Sequence, residues 1–183
     1  MGQKLSGWMY RISNGRGALS ALALFLLFTA LVLPGQSSKG NADSPDLSFY
    51  YTADDLYQLA EEYGASGRQT YIRARFTFDL IWPLVYTAFL GTAISWIFAR
   101  IFSPGSPWRQ ANLMPVLGAL FDYLENLSTT LVMARYPNLT AGVAALAGVF
   151  TLVKWVLISG SFALLLVGVS AGVWQWLRGS GSR

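Results

Sequence analysis

Asp122, Glu125 and Asn126 fall within five positions of the apolar stretch "ALFDYLENLSTTLVMARYP", residues 119–137. Asp79 and Lys154 lie in two further apolar stretches. These side chains set the chemistry open to the chain. A buried carboxyl at Glu125 or Asp122 could act as a general acid or base on a lipid or isoprenoid, with Lys154 as its electrostatic partner. The same carboxyls could bind protons in a small oligomeric carrier. With Asp79, their D-x-x-E spacing offers oxygen ligands to a hard cation. The aspartate-rich motifs of membrane prenyl- and phosphatidyl-transferases are denser than this, so no metal is assigned.

There is no cysteine and no histidine. Disulfides, thiol nucleophiles, thiolate or imidazole metal sites, ordinary haem ligation and Ser-His triads are excluded. No cofactor is expected.

Helical spacing gathers the polar residues into stripes. Gly118, Asp122, Glu125, Asn126 and Thr129 share one face, and Leu120, Leu124, Leu127 and Leu131 the opposite one. Asp79, Pro83 and Tyr86 align, as do Thr151, Lys154, Ile158 and Ser161. Each charged group at the centre of a bilayer costs about 2.5–3.5 kcal/mol on the lower scales, so such groups turn inward and find partners. Lys154 is expected to neutralise Glu125 or Asp122, and Arg75 to neutralise Asp79 one turn away. Two readings stay open: an ion-pair network that fixes helix register, or a polar pocket reaching the outer leaflet.

The elements that carry these residues follow from composition. Of 183 residues, 54% are hydrophobic and 12% charged, and the mean hydropathy is +0.42. Soluble domains carry about a quarter charged residues. The expectation is an all-α membrane protein, a single membrane domain over 1–183 built as a transmembrane four-helix bundle. Spans are expected at about 17–35, 76–99, 111–134 and inside 140–177. "SPGSPW" at 103–108 and "RYPN" at 135–138 break the helices. The first apolar run has a basic start that also suits a signal peptide, but it is long and "LVLPGQSS" is a poor cleavage site. It is read as a retained helix.

Basic residues orient the spans. With the N-terminus inside, the inner side holds Lys4, Arg11, Arg16, Arg100, Arg109, Arg178 and Arg183, seven bases and no acid. The outer side holds Lys39, Arg68, Arg73, Arg75 and Arg135 with Asp43, Asp46, Asp54, Asp55, Glu61 and Glu62. Both termini are therefore expected to be cytoplasmic. At about 1.5 Å per residue from the inner ends, Asp122, Glu125 and Asp79 stand about 20, 24 and 31 Å up, in the outer half. Lys154 falls near the outer boundary if measured from Arg178, and deeper if its span begins near Leu139. The net charge of +4 is a topology signal, and its scattered bases give no nucleic-acid surface.

The outer segment, 36–75, opens with a polar linker, "GQSSKGNADSP". "TADDLYQLAEEYG" then reads as a short amphipathic helix. Thr52 is its N-cap, Gly64 its stop, and Leu56, Leu59, Ala60 and Tyr63 its apolar face. It is expected to lie on the membrane or to cap the bundle. In "GASGRQTYIRARFTFD", Arg68, Ile72, Arg75 and Asp79 share a face. These arginines either snorkel or meet a phosphate or carboxylate headgroup. "GVSAG" at 168–172 has GxxxG spacing and marks a close helix contact within or between chains. "NLT" at 138–140 matches a glycosylation sequon in a short loop.

"GRQTYIRARFTFDLIWPLVY", "FDYLENLSTTLVMARYP" and "FTLVKW" together resemble a family of small bacterial four-span membrane proteins of unassigned function, over most of residues 47–160. The shared pattern is Gly67, Arg68 and Tyr71, then Asp79, Pro83 and Tyr86, then Asp122, Glu125 and Asn126, then Lys154. The resemblance implies the four-span architecture and a bacterial inner membrane, and brings no activity. Candidate ligand-binding residues are thus Arg68, Tyr71, Arg75, Asp79, Tyr86, Asp122, Glu125, Asn126 and Lys154. The expected partners are membrane lipids, then a second copy or another membrane protein.

Overall fold

The computed structural model describes residues 2–32, 34, 45 and 48–180. Among the described residues the chain is helical without strands: α1 (Gly2–Ile12), α2 (Gly15–Leu31), α3 (Ala53–Glu62), α4 (Gly64–Arg75), α5 (Phe78–Ile101), a 3-10 segment (Pro107–Leu113), α6 (Met114–Arg135) and α7 (Ala141–Ser180). The expected linker, with Lys39 and Asp43, lies outside the described residues apart from Pro45, as does Asp46 after it.

Two helical runs are long and apolar enough to cross a membrane, Gly64–Ile101 through α4 and α5, and Ala141–Arg178 within α7. The pair α1 and α2, bent by 96°, makes a third if counted as one span. The helix at the expected third span, α6, has 22 residues, about 33 Å at 1.5 Å per residue. Its length suffices, but Asp122, Glu125 and Asn126 lower its hydropathy, and it is not among the runs that qualify. The breaks fall at the Pro/Gly clusters. α7 runs unbroken through "ISGS" at 158–161.

The chain divides into two compact units: 1–26 with 85–117 and 157–183, and 27–84 with 118–156. In the first, Asn14 accepts from the Gly17 N–H at 2.8 Å and caps α2. A Cβ on Gly168 would meet Ile97 and Phe98 side chains at 2.9 Å, so the GxxxG stretch makes its close contact within the chain at that glycine.

In the second unit, α3 caps a small core. Leu56 and Ala60 pack with Tyr51, Tyr71, Val132, Met133, Ala144 and Ala147. Leu59 and Tyr63 close its edge. Thr52 accepts from the Asp55 N–H at 3.2 Å, and Asp55 accepts from the Thr52 N–H at 2.8 Å, a reciprocal capping box. Gly64 ends the helix at φ +58°, where a side chain would be strained.

The Thr52 N–H and hydroxyl hold the Asp55 carboxyl below its usual range. A depressed folded value means that this support is present above the unfolded pKa of about 3.9. It is lost as pH falls through the folded value. Hydrogen exchange of the α3 amides, compared at pH 6 and pH 3 after correction for intrinsic rates, is expected to show lost protection in the acid. Asp55→Asn should show that weaker protection at both pH values.

Candidate functional site

The polar stripes of α5, α6 and α7 meet in the second unit. Lys154 Nζ lies 2.6 Å from Glu125 Oε2. Glu125 is fully buried and Lys154 is 4% exposed. Arg75, at the end of α4, places Nη1 3.1 Å from Asp79 Oδ2 one turn on. The same nitrogen donates to Asn126 Oδ1 at 3.2 Å. Asn126 Nδ2 donates in turn to Asp122 Oδ1 at 3.1 Å. A line of contacts therefore runs from Asp79 through Arg75 and Asn126 to Asp122, beside the Glu125–Lys154 pair. Both neutralisations expected from the stripes are present, with Glu125 as the partner of Lys154.

Local helix chemistry explains why these residues sit where they do. Pro83 has no N–H for the Asp79 carbonyl, so the ladder is already interrupted where Asp79 stands. The Thr129 hydroxyl donates to the Glu125 carbonyl at 3.1 Å, so this buried polar group is satisfied along its own helix. The Tyr71 ring lies under Arg75, 4.3 Å from centroid to guanidinium carbon, and covers the cation with carbon and π density.

Tyr51 belongs to the site without having been anticipated. Its hydroxyl donates to Glu125 Oε1 at 3.1 Å, so Glu125 is held from two sides. Burial, then the neighbouring Glu125 charge, pushes this phenol well above its ordinary value, and it stays a donor. Tyr51 precedes the capped helix in "SFYYT", where no periodicity marks a face.

Arg68 has other partners. It donates to the Ala60 carbonyl at 2.8 Å and lies over the Tyr136 ring at 4.9 Å. It thereby satisfies a carbonyl near the end of α3. Tyr86 is buried on the shared face of α5.

A cavity of about 330 Å³ opens beside the network, lined by Arg75, Phe76, Leu80, Tyr123, Asn126, Leu127 and Thr130. Tyr123 fixes one wall by donating its hydroxyl to the Leu80 carbonyl at 2.9 Å. Asp79, Asp122, Glu125 and Lys154 do not line this cavity. No group of three or more acidic side chains among the described residues is placed to hold a metal ion.

No protein-family model matches this chain, and no curated protein or solved structure matches it. The site must be read from its own geometry.

The burial pattern of α6 is the reverse of a soluble amphipathic helix. Glu125, Asn126 and Thr129 are hidden, while Leu127 is 62% and Leu120 51% exposed. On α7, Lys154 is hidden while Leu146 and Val156 are exposed. In water this arrangement would bury charge and display carbon, each at a cost. In hydrocarbon the preference inverts.

Proposed function

We propose that the protein is an integral membrane protein of the bacterial inner membrane, with both termini cytoplasmic. Its fold is held by the buried ion pairs, and it binds the polar head of a lipid or small amphiphile. Four spans are the natural count in this reading. The inverted burial of α6 suits a helix flanked by lipid on its leucine face and by protein on its acidic one. The likeness of its motifs to a four-span family agrees with that count.

One observation carries the binding role: Arg75 and Asn126 belong both to the charged network and to the wall of the lateral cavity. The exposed wall is almost wholly carbon, and the Arg75 guanidinium and Asn126 amide are among its lining but themselves buried, so it matches the apolar part of an amphiphile whose oxygen-rich head must reach those two groups. The volume is near the lower end of ligand sites, about 300–1,000 Å³. It suits a short apolar segment of an amphiphile, with the rest of the molecule lying outside. The acid–base and proton-carrier readings lack such support, because Glu125 is sealed by Tyr51 and Lys154 and does not line the cavity.

The test is photolabelling with a diazirine-bearing phospholipid in proteoliposomes, with the adduct mapped by mass spectrometry. Label is expected on Tyr123, Leu127 and their neighbours. Leu127→Trp blocks the mouth from an exposed position and should cut the labelling severalfold without moving the unfolding temperature by more than a few degrees. Label scattered evenly over lipid-facing leucines, or unchanged by Leu127→Trp, would overturn the binding role.

A further inference from the structure

Charge is divided between the two units with no overlap of sign in the first. Residues 1–26, 85–117 and 157–183 hold seven bases and no acid. The other unit holds all nine acids and the remaining six bases, so +7 and −3 make up the net +4. The first unit has no acidic side chain to neutralise its cations.

Helix α1 displays part of that charge in a fixed frame. Its inner face is docked on the 3-10 segment. Ser6 Oγ donates to Asn112 Oδ1 at 2.8 Å, and the Tyr10 hydroxyl donates to the Arg109 carbonyl at 2.9 Å. Asn112 is fully buried and reaches on to Ser95 Oγ at 3.0 Å. Ser6 and Met9 are buried with it.

The remaining surface of α1 has two stripes. Leu5, Trp8 and Ile12 recur at helical spacing, and each is exposed by 41–49%. Lys4 and Arg11, seven residues apart, form the stripe next to them and are also exposed. An apolar edge bordered by cations, on a helix turned 96° from the apolar helix that follows, is the design of an element lying in a headgroup layer. Arg100 over the Trp96 ring at 4.0 Å and Arg178 over the Trp174 ring at 4.3 Å repeat the same pairing of cation and indole.

We infer that the Lys4–Trp8–Arg11 face of α1 is a docking surface for anionic phospholipids, whose phosphates supply the counter-charge that the unit itself lacks. Trp8 and Leu5 enter the acyl boundary while Lys4 and Arg11 meet the headgroups. Ser6 and Asn112 keep the helix from following its apolar edge deeper. This rests on the membrane reading above but concerns a different surface from the lateral cavity.

The absence of native cysteine allows a single reporter. A Cβ on Gly7 would meet nothing within 4 Å, so Gly7→Cys accepts a nitrobenzoxadiazole label without disturbing the dock. The labelled full chain is reconstituted in phosphatidylcholine containing either brominated phosphatidylglycerol or brominated phosphatidylcholine at the same mole fraction. Phosphatidylglycerol is expected to associate roughly fivefold more strongly by quenching, as attraction of surface bases to an anionic leaflet implies. Lys4→Ala/Arg11→Ala in the labelled background should bring the two lipids to near equality, as should 1 M salt. Equal quenching in the unaltered background, or a preference that survives the double substitution, overturns the inference and leaves the membrane reading intact. No quenching by either lipid would remove both.

Discussion

Lys154→Ala is expected to destabilise the protein by about 3–5 kcal/mol, the usual cost of leaving a buried charge without its partner. Glu125 is fully buried, and its near cation is Lys154 at 2.6 Å. Tyr51 can donate a hydrogen bond but brings no charge. The loss is one of compensation more than of contact, and a second change should recover much of it. Lys154→Met combined with Glu125→Gln removes both charges, keeps the volumes close, and leaves an amide oxygen for the Tyr51 hydroxyl. Replacing a buried pair in this way is often neutral. The double variant should regain at least half of the loss, read by thermal unfolding of detergent-extracted protein followed by far-ultraviolet circular dichroism. A single variant within about 1 kcal/mol of the parent would show that Glu125 does not depend on Lys154 for its charge balance, since surface-type ion pairs contribute no more than that.

That experiment probes the part of the site most legible from sequence. Charged groups in apolar helices have few options, so the stripes through Asp122, Glu125 and Lys154 imply their own meeting. Arg75 and Asp79 are paired by the helix itself, one turn apart. The cap at Thr52 and the stop at Gly64 were readable because each rests on local geometry.

What escaped was non-local or lay outside a regular element. Tyr51 reaches Glu125 from an irregular segment that carries no period. Arg68 looked like part of an arginine stripe, yet the carbonyl of Ala60, eight residues back, takes it. α1 was hidden inside a basic start because its docking face, Ser6 and Met9, is defined by Asn112, over a hundred residues away. The span count is the least legible feature. α6 dilutes its hydropathy with the same residues that make it informative.

Gly148→Ala should cost at least about 2 kcal/mol, although alanine is ordinarily the better residue in a helix. A Cβ at position 148 would overlap the Tyr51 carbonyl oxygen, a backbone atom with no rotamer by which to yield. The segment bearing Tyr51 must then lift from α7. Overpacking of this kind costs about 1–3 kcal/mol, and the Tyr51 hydrogen bond to an ionised Glu125 contributes about 1.5–3 kcal/mol more when lost. Tyr51→Phe separates the two, because it removes the hydroxyl and leaves the segment seated. Gly148→Ala should be the more damaging and should open cleavage sites between residues 48 and 62 to limited proteolysis, while Tyr51→Phe should not. Gly172→Ala supplies the background, since a Cβ there would meet nothing within 4 Å, and is expected to be neutral or slightly stabilising. If Gly148→Ala behaves like Gly172→Ala, Tyr51 does not sit against α7, and Glu125 is open to the outside on the side where Tyr51 now closes it. The acid–base reading would then regain its access route, so this glycine tests the sealing of the site as directly as Lys154 tests its charge.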